Sequence, residues 1–204
     1  MSISSPSVEK KKRSLLTTAI ILIVAAVAIV GGGLKMFGGI QKIASSSSDP
    51  EVELLLEESD AALDEANKQN QLVVPAFQQL LNDFDQLGVE GFRKERSELS
   101  GNLITQFTNT AAQFQLAAKK LDAAAMISKN EQLKAFMTLK SKSYGLLDKV
   151  CNQNVEMIQV LLDTSLTDAA VITGKVLELA ASRDETQKTV VDTTTAADAI
   201  ANSK

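Results

Sequence analysis

Histidine and tryptophan are absent from this chain, cysteine occurs once, as Cys151, and proline only three times in 204 residues. Without histidine the chain lacks the commonest metal ligand and the commonest acid–base group near neutral pH. A single cysteine excludes an intramolecular disulfide framework. None follows directly on the apolar N-terminal segment, which excludes a lipoprotein anchor. There is no Ser-His or Cys-His pairing and no Gly-rich phosphate loop. The sequence therefore predicts a protein that is not an enzyme, with no catalytic, cofactor-binding or metal-binding residue and no cofactor.

Aromatic residues are also scarce, with seven Phe and one Tyr, Tyr144. A thin core of Leu, Ala and Val follows. Few Pro and Gly, with plentiful Ala, Leu, Gln, Lys and Glu, favour helix over strand.

The net charge of −4 is unevenly placed. Residues 1–48 hold Lys10, Lys11, Lys12, Arg13, Lys35 and Lys42 against Glu9, a balance of +5 that leaves −9 for the rest. An acidic body of this kind has no electrostatic reason to bind nucleic acid.

From Ser14 to Leu34 run 21 residues without a charge. About 20 apolar residues in a helix span a hydrocarbon core of roughly 30 Å, so residues 14–34 are expected to cross a membrane and touch lipid. The basic stretch before them places residues 1–13 in the cytoplasm and the body outside, as a single-pass cell-membrane protein. A cleaved signal peptide is the alternative, with a small-x-small triplet at Ala26-Val27-Ala28. Against it, the apolar run continues through Ile29 and Val30. Ala28 and Gly32 form a small-xxx-small pair, read mainly as lipid-tolerant small residues. Residues 35–48 suit an interfacial segment and linker, with Met36, Phe37, Ile40 and Ile43 among lysines and then Ser45 to Ser48.

Residues 49–182 carry helical patterns. Asp49 is placed to cap the first, with Pro50 at its first position. Its stripe reads Val52, Leu55 or Leu56, Leu63, Ala66, Val73, Phe77, Leu80 or Leu81, Phe84 and Leu87, with Ser59 and Asn70 on the same line. Pro75 inside it predicts a kink. Gly88 and Gly91 mark a turn. A second stripe follows through Phe92, Leu99, Leu103, Phe107, Thr110 or Ala111, Phe114, Ala118, Leu121 and Ala125. Ser128-Lys129-Asn130 make the next turn. A third pattern runs from Leu133 through Phe136 or Met137, Leu147, Val150 or Cys151, Ile158, Leu161 or Leu162, Ala169, Ile172 and Val176 to Leu179 or Ala180. Residues 163–168 either interrupt it or lie within one long helix. The expected fold is thus all-α: a single transmembrane helix, then an elongated antiparallel bundle of three or four helices. Residues 183–204 contain no Leu and no aromatic and read as a frayed or disordered tail.

Asp83-Phe84-Asp85 opens like a calcium-binding loop, but Leu87 and Lys94 occupy positions that need oxygen ligands. Eight acidic residues lie between Asp49 and Glu65 with no basic one. Glu57, Asp60 and Asp64 share helical spacing and read as a solvated face. Cys151 is expected to behave as a small buried hydrophobe. Asn70 and Asn154 on apolar stripes either fix register or mark a partly wet seam.

Anchor plus helical bundle is an architecture shared by many unrelated proteins. The expected role is a structural or interaction module of the cell envelope, with a helical protein partner or weak homo-oligomerisation. The alternatives are a ligand-sensing bundle and a secreted helical protein. With 13 residues before the apolar run and no second span, the interaction role is the stronger expectation.

Overall fold

The computed structural model describes residues 49–203. The segment 14–34 that the sequence is expected to place in a membrane, and its flanks 1–13 and 35–48, lie outside the described residues. Among those described, no helix is long and apolar enough to cross a membrane.

Among the described residues there are three α-helices, α1 (Pro50–Ile127), α2 (Glu131–Leu162) and α3 (Ala169–Asn202). Helix α1 is folded back on itself at Gly88, whose φ of 67° and ψ of 179° are its only non-helical angles. This backbone region is open essentially to glycine alone. The two arms, residues 50–87 and 89–127, run antiparallel. Phe84 meets Phe92 edge-on at 5.3 Å, Phe77 meets Phe107 at 5.5 Å, and Ser59 Oγ donates to the Ala117 carbonyl at 3.0 Å. The residue numbers in these pairs add to a nearly constant value, as a hairpin centred on Gly88 requires. Asp83 accepts from Arg96 at 2.6 Å across the same bend.

Caps define the other boundaries. Asp49 accepts from Glu51 N, Asn130 from Gln132 N and Leu133 N, and Asp168 from Ala170 N. Each such bond satisfies an amide that the helix leaves without a partner. The third pattern is therefore interrupted at 163–168, and one long third helix is not formed. Helices α2 and α3 are antiparallel too, with Lys140 bonded to Asp198 and Gln153 to Ser182. Four rods of about 50–60 Å at 1.5 Å per residue run up and down around a single core.

The core follows the stripes. Val52, Leu56, Leu63, Ala66, Val73, Phe77, Leu80 and Phe84 are buried on the first arm, and Phe92, Leu103, Phe107, Phe114 and Leu121 on the second. Two expectations change. Leu99 is 37% exposed and Ser100 takes the buried place, because one step of the periodicity shifts by a residue. At Pro75 the backbone keeps helical angles. Pro75 and Gln71 are both exposed, so the carbonyl that the proline strands faces water. Residues 183–202 are not a frayed tail but the second half of α3, with Val190, Ala197 and Ala201 in the core. That stretch packs without leucine because its inward positions are Ala, Val, Thr and hydrogen-bonded polar residues.

Candidate functional site

The feature that a thin apolar bundle does not explain is a line of buried polar groups between α2 and α3. At the end where the chain enters the bundle it is preceded by an exposed contact, in which Gln132 Nε2 donates to the Ile200 carbonyl at 2.8 Å and to the Ser203 carbonyl at 3.1 Å, closing the end of α3. Two turns on, Lys140 is 0% exposed and its Nζ donates to Asp198 Oδ1 at 2.7 Å. The ammonium also lies 5.4 Å from the centre of the Phe136 ring, in cation–π range. Burial pulls the Lys140 pKa down, and the bond to Asp198 opposes it. Ser143 and Thr194 share a hydrogen bond of 2.8 Å.

Tyr144 lies beside this group. Its phenol is held well above the ordinary range, first by burial and then by the Asp60 and Asp198 carboxylates. Asp60, on the first arm, is raised from 3.8 to about 7 by burial, then by Asp64 and by Glu57. The acidic row is thus not uniform: Glu57 and Asp64 face solvent, whereas Asp60 turns partly inward.

Farther along, Arg183 is 1% exposed. Its Nη1 donates to Asn154 Oδ1 at 3.1 Å. Its Nη2 is 3.5 Å from Asp184 Oδ1, within ion-pair distance but without a hydrogen bond. Burial lowers its pKa to about 10 against the opposing pull of Asp184. Arg183 Nε and Nη2, Gln187 Nε2, Gln153 Oε1 and Asp184 Oδ1 have no hydrogen-bond partner among the described residues. So many unsatisfied buried groups in one stretch is unusual, since native interiors pair nearly all of them.

Of the residues singled out in the sequence, Asn154 is in this line, accepting from Arg183, while Asn70 is buried on the first arm. Cys151 is buried and its thiol is pushed up to about 12 by burial, then by Asp148. Asp83 of the calcium-like loop is committed to Arg96 and Gln79. Among the described residues no three His, Cys, Asp or Glu side chains are grouped to hold a metal ion. Sequence reasoning missed Arg183, Lys140 and Gln187. The signal was present in the spacing, since Val176, Ala180, Arg183, Gln187, Val190, Thr194 and Ala197 follow steps of three and four.

Compared with protein-family models, curated proteins and solved structures, the chain matches none.

Proposed function

We propose that this chain is a membrane-anchored helical bundle that serves as a structural or interaction module of the cell envelope. Residues 14–34 hold it in the bilayer, the N-terminus is cytoplasmic, and the bundle stands outside. The observation that carries this reading is the character of one end of the bundle. Pro50, Ile127, Glu131 and Asn202 are helix ends gathered there by the antiparallel order, and it is the end that follows the apolar run. Leu54 is 55% exposed and Met126 82% exposed at that end, with Ile127 beside them. The acidic row from Asp49 to Glu65 begins there too. Its charge opposes direct contact with an anionic lipid surface. A protein surface that offers apolar and basic groups is the better fit.

A patch of this kind supports weak pairing alone. Burying a few hundred Å² contributes roughly 25 cal/mol per Å² before the costs of association. Confinement to a membrane raises the effective concentration and makes weak pairing count. Chemical crosslinking of the full-length protein in native membranes tests the proposal. The expected result is a crosslinked dimer or heteromer whose yield falls when Leu54 and Met126 are both changed to Ser. Recovery of monomer alone contradicts it.

A further inference from the structure

The Arg183 guanidinium presents two edges, and only one is used. Nη1 donates to Asn154, whereas Nε and Nη2 have no hydrogen-bond partner among the described residues. Those two N–H groups lie side by side in the plane of the guanidinium and form the fork that matches both oxygens of a carboxylate. Gln187 is four residues on, so its side chain lies over the next turn of the same face. Its amide Nε2 is also a buried donor without a partner. Three buried donors and a cation therefore sit on one face of α3, turned into the bundle.

Asp184 does not meet this need. Adjacent residues on a helix point about 100° apart, and its Oδ1 stays 3.5 Å from Nη2 without bonding to it. Water would satisfy single donors but would not engage both N–H groups of the fork together, as the two oxygens of a carboxylate do.

We propose that the Arg183 fork, with Gln187 beside it, binds the carboxylate of a small monoanionic ligand inside the bundle. The charge favours a monoanion over a dianion, because Asp184, 3.5 Å from Nη2, already offsets part of the guanidinium charge. Entry is through local separation of α3 from α2. The inward positions of α3 near the site are Ala180, Thr186, Val190 and Thr193, which bury little area and make that stretch the easiest part of the bundle to open. This site is independent of the anchor and of the exposed end described above.

The test is thermal unfolding of the full-length protein in detergent, followed by circular dichroism at pH 8, where inorganic phosphate is mainly the dianion. Sodium acetate is compared with sodium chloride and sodium phosphate at equal ionic strength. Ligand that binds only the folded state raises the midpoint with concentration. The expected result is a saturable rise of roughly 2–4 °C in acetate over chloride, a scale that suits a chain of this size, and in phosphate only the gradual, non-saturating rise that its exclusion from protein surfaces gives. Arg183→Met abolishes the rise, and Arg183→Lys, which keeps the charge but loses the fork, weakens it. If Arg183→Met does not fold, Arg183→Lys and Gln187→Leu carry the comparison. Line broadening of carbon-13 acetate by the folded protein gives a second readout that needs no unfolding. An equal effect of all three salts, a saturable response to phosphate as large as that to acetate, no saturable response to acetate, or an undiminished response in the Arg183 variants overturns the proposal.

Discussion

Two positions, Asp60 and Leu103, set how single residues act on this bundle. Asp60 is raised to about 7 by burial and by its neighbours Asp64 and Glu57, so the fold prefers its protonated form. The contribution is fully present below pH 4, where the side chain is also protonated in the unfolded chain. It is lost as pH rises through 7. Discounted for partial exposure, the effect is about 1–2 kcal/mol. Asp60→Asn is expected to flatten the pH dependence of stability between pH 4 and 7 and to raise stability at pH 8, as denaturant titrations at each pH would measure. Leu103, at 1% exposure, presents the opposite case. Leu103→Asp buries a carboxylate without a partner and is expected to cost about 3–5 kcal/mol. A loss below about 0.5 kcal/mol, the range of ordinary surface changes, would remove Leu103 from the core. Its burial was legible in the sequence because it sits on a continuous apolar stripe. Arg183 and Lys140 were not, because charged residues at inward spacing read as interruptions until their partners on α2 are known.

At the scale of elements, the bend at Gly88 is the most economical feature of the fold. One residue reverses a helix of 78 residues. A Cβ at Gly88 would meet nothing within 4 Å, so the penalty for a side chain there is backbone strain alone. Gly101 lies in open space inside the second arm with ordinary helical angles. The two glycines therefore predict opposite signs. Gly88→Ala is expected to lose about 1–3 kcal/mol, and Gly101→Ala to gain about 0.5–1 kcal/mol. Urea denaturation of both variants checks the contrast, and a stabilising Gly88→Ala would mean that the bend is built differently. The turn itself was readable from Gly88 and Gly91, and so was the cap at Asp49; Asn130 and Asp168 were not read as caps. The device that closes the far end of the bundle was not. Arg93 donates to the carbonyls of Leu161, Asp163 and Leu166 at 3.1, 2.6 and 2.8 Å, occupying the free acceptors at the end of α2. Nothing local to Arg93 announces a partner some 70 positions away. Helix α3 was misjudged for a related reason: without leucine or aromatics its face looked unable to pack. Small side chains and polar pairs across to α2 hold it instead.

The whole molecule joins an apolar run to a rod-like bundle whose ends differ. The end near Gly88 is closed by Arg93 and by the Asp83–Arg96 pair. The other end, where the chain enters, exposes Leu54 and Met126. The bundle was legible from periodicity, because each rod repeats its apolar residues at helical spacing. The buried line on α3 was not, because pairing across helices depends on register that one sequence does not state. The central claim, an anchored bundle outside the cytoplasm, is tested most directly by adding protease to intact cells or spheroplasts and identifying the fragments by mass spectrometry. The account predicts cleavage between residues 43 and 49, release of a resistant fragment that begins near Asp49, and retention of residues 14–34 with Arg13 in the membrane. Protection of the whole chain, or a mature protein beginning at Ile29, would contradict it.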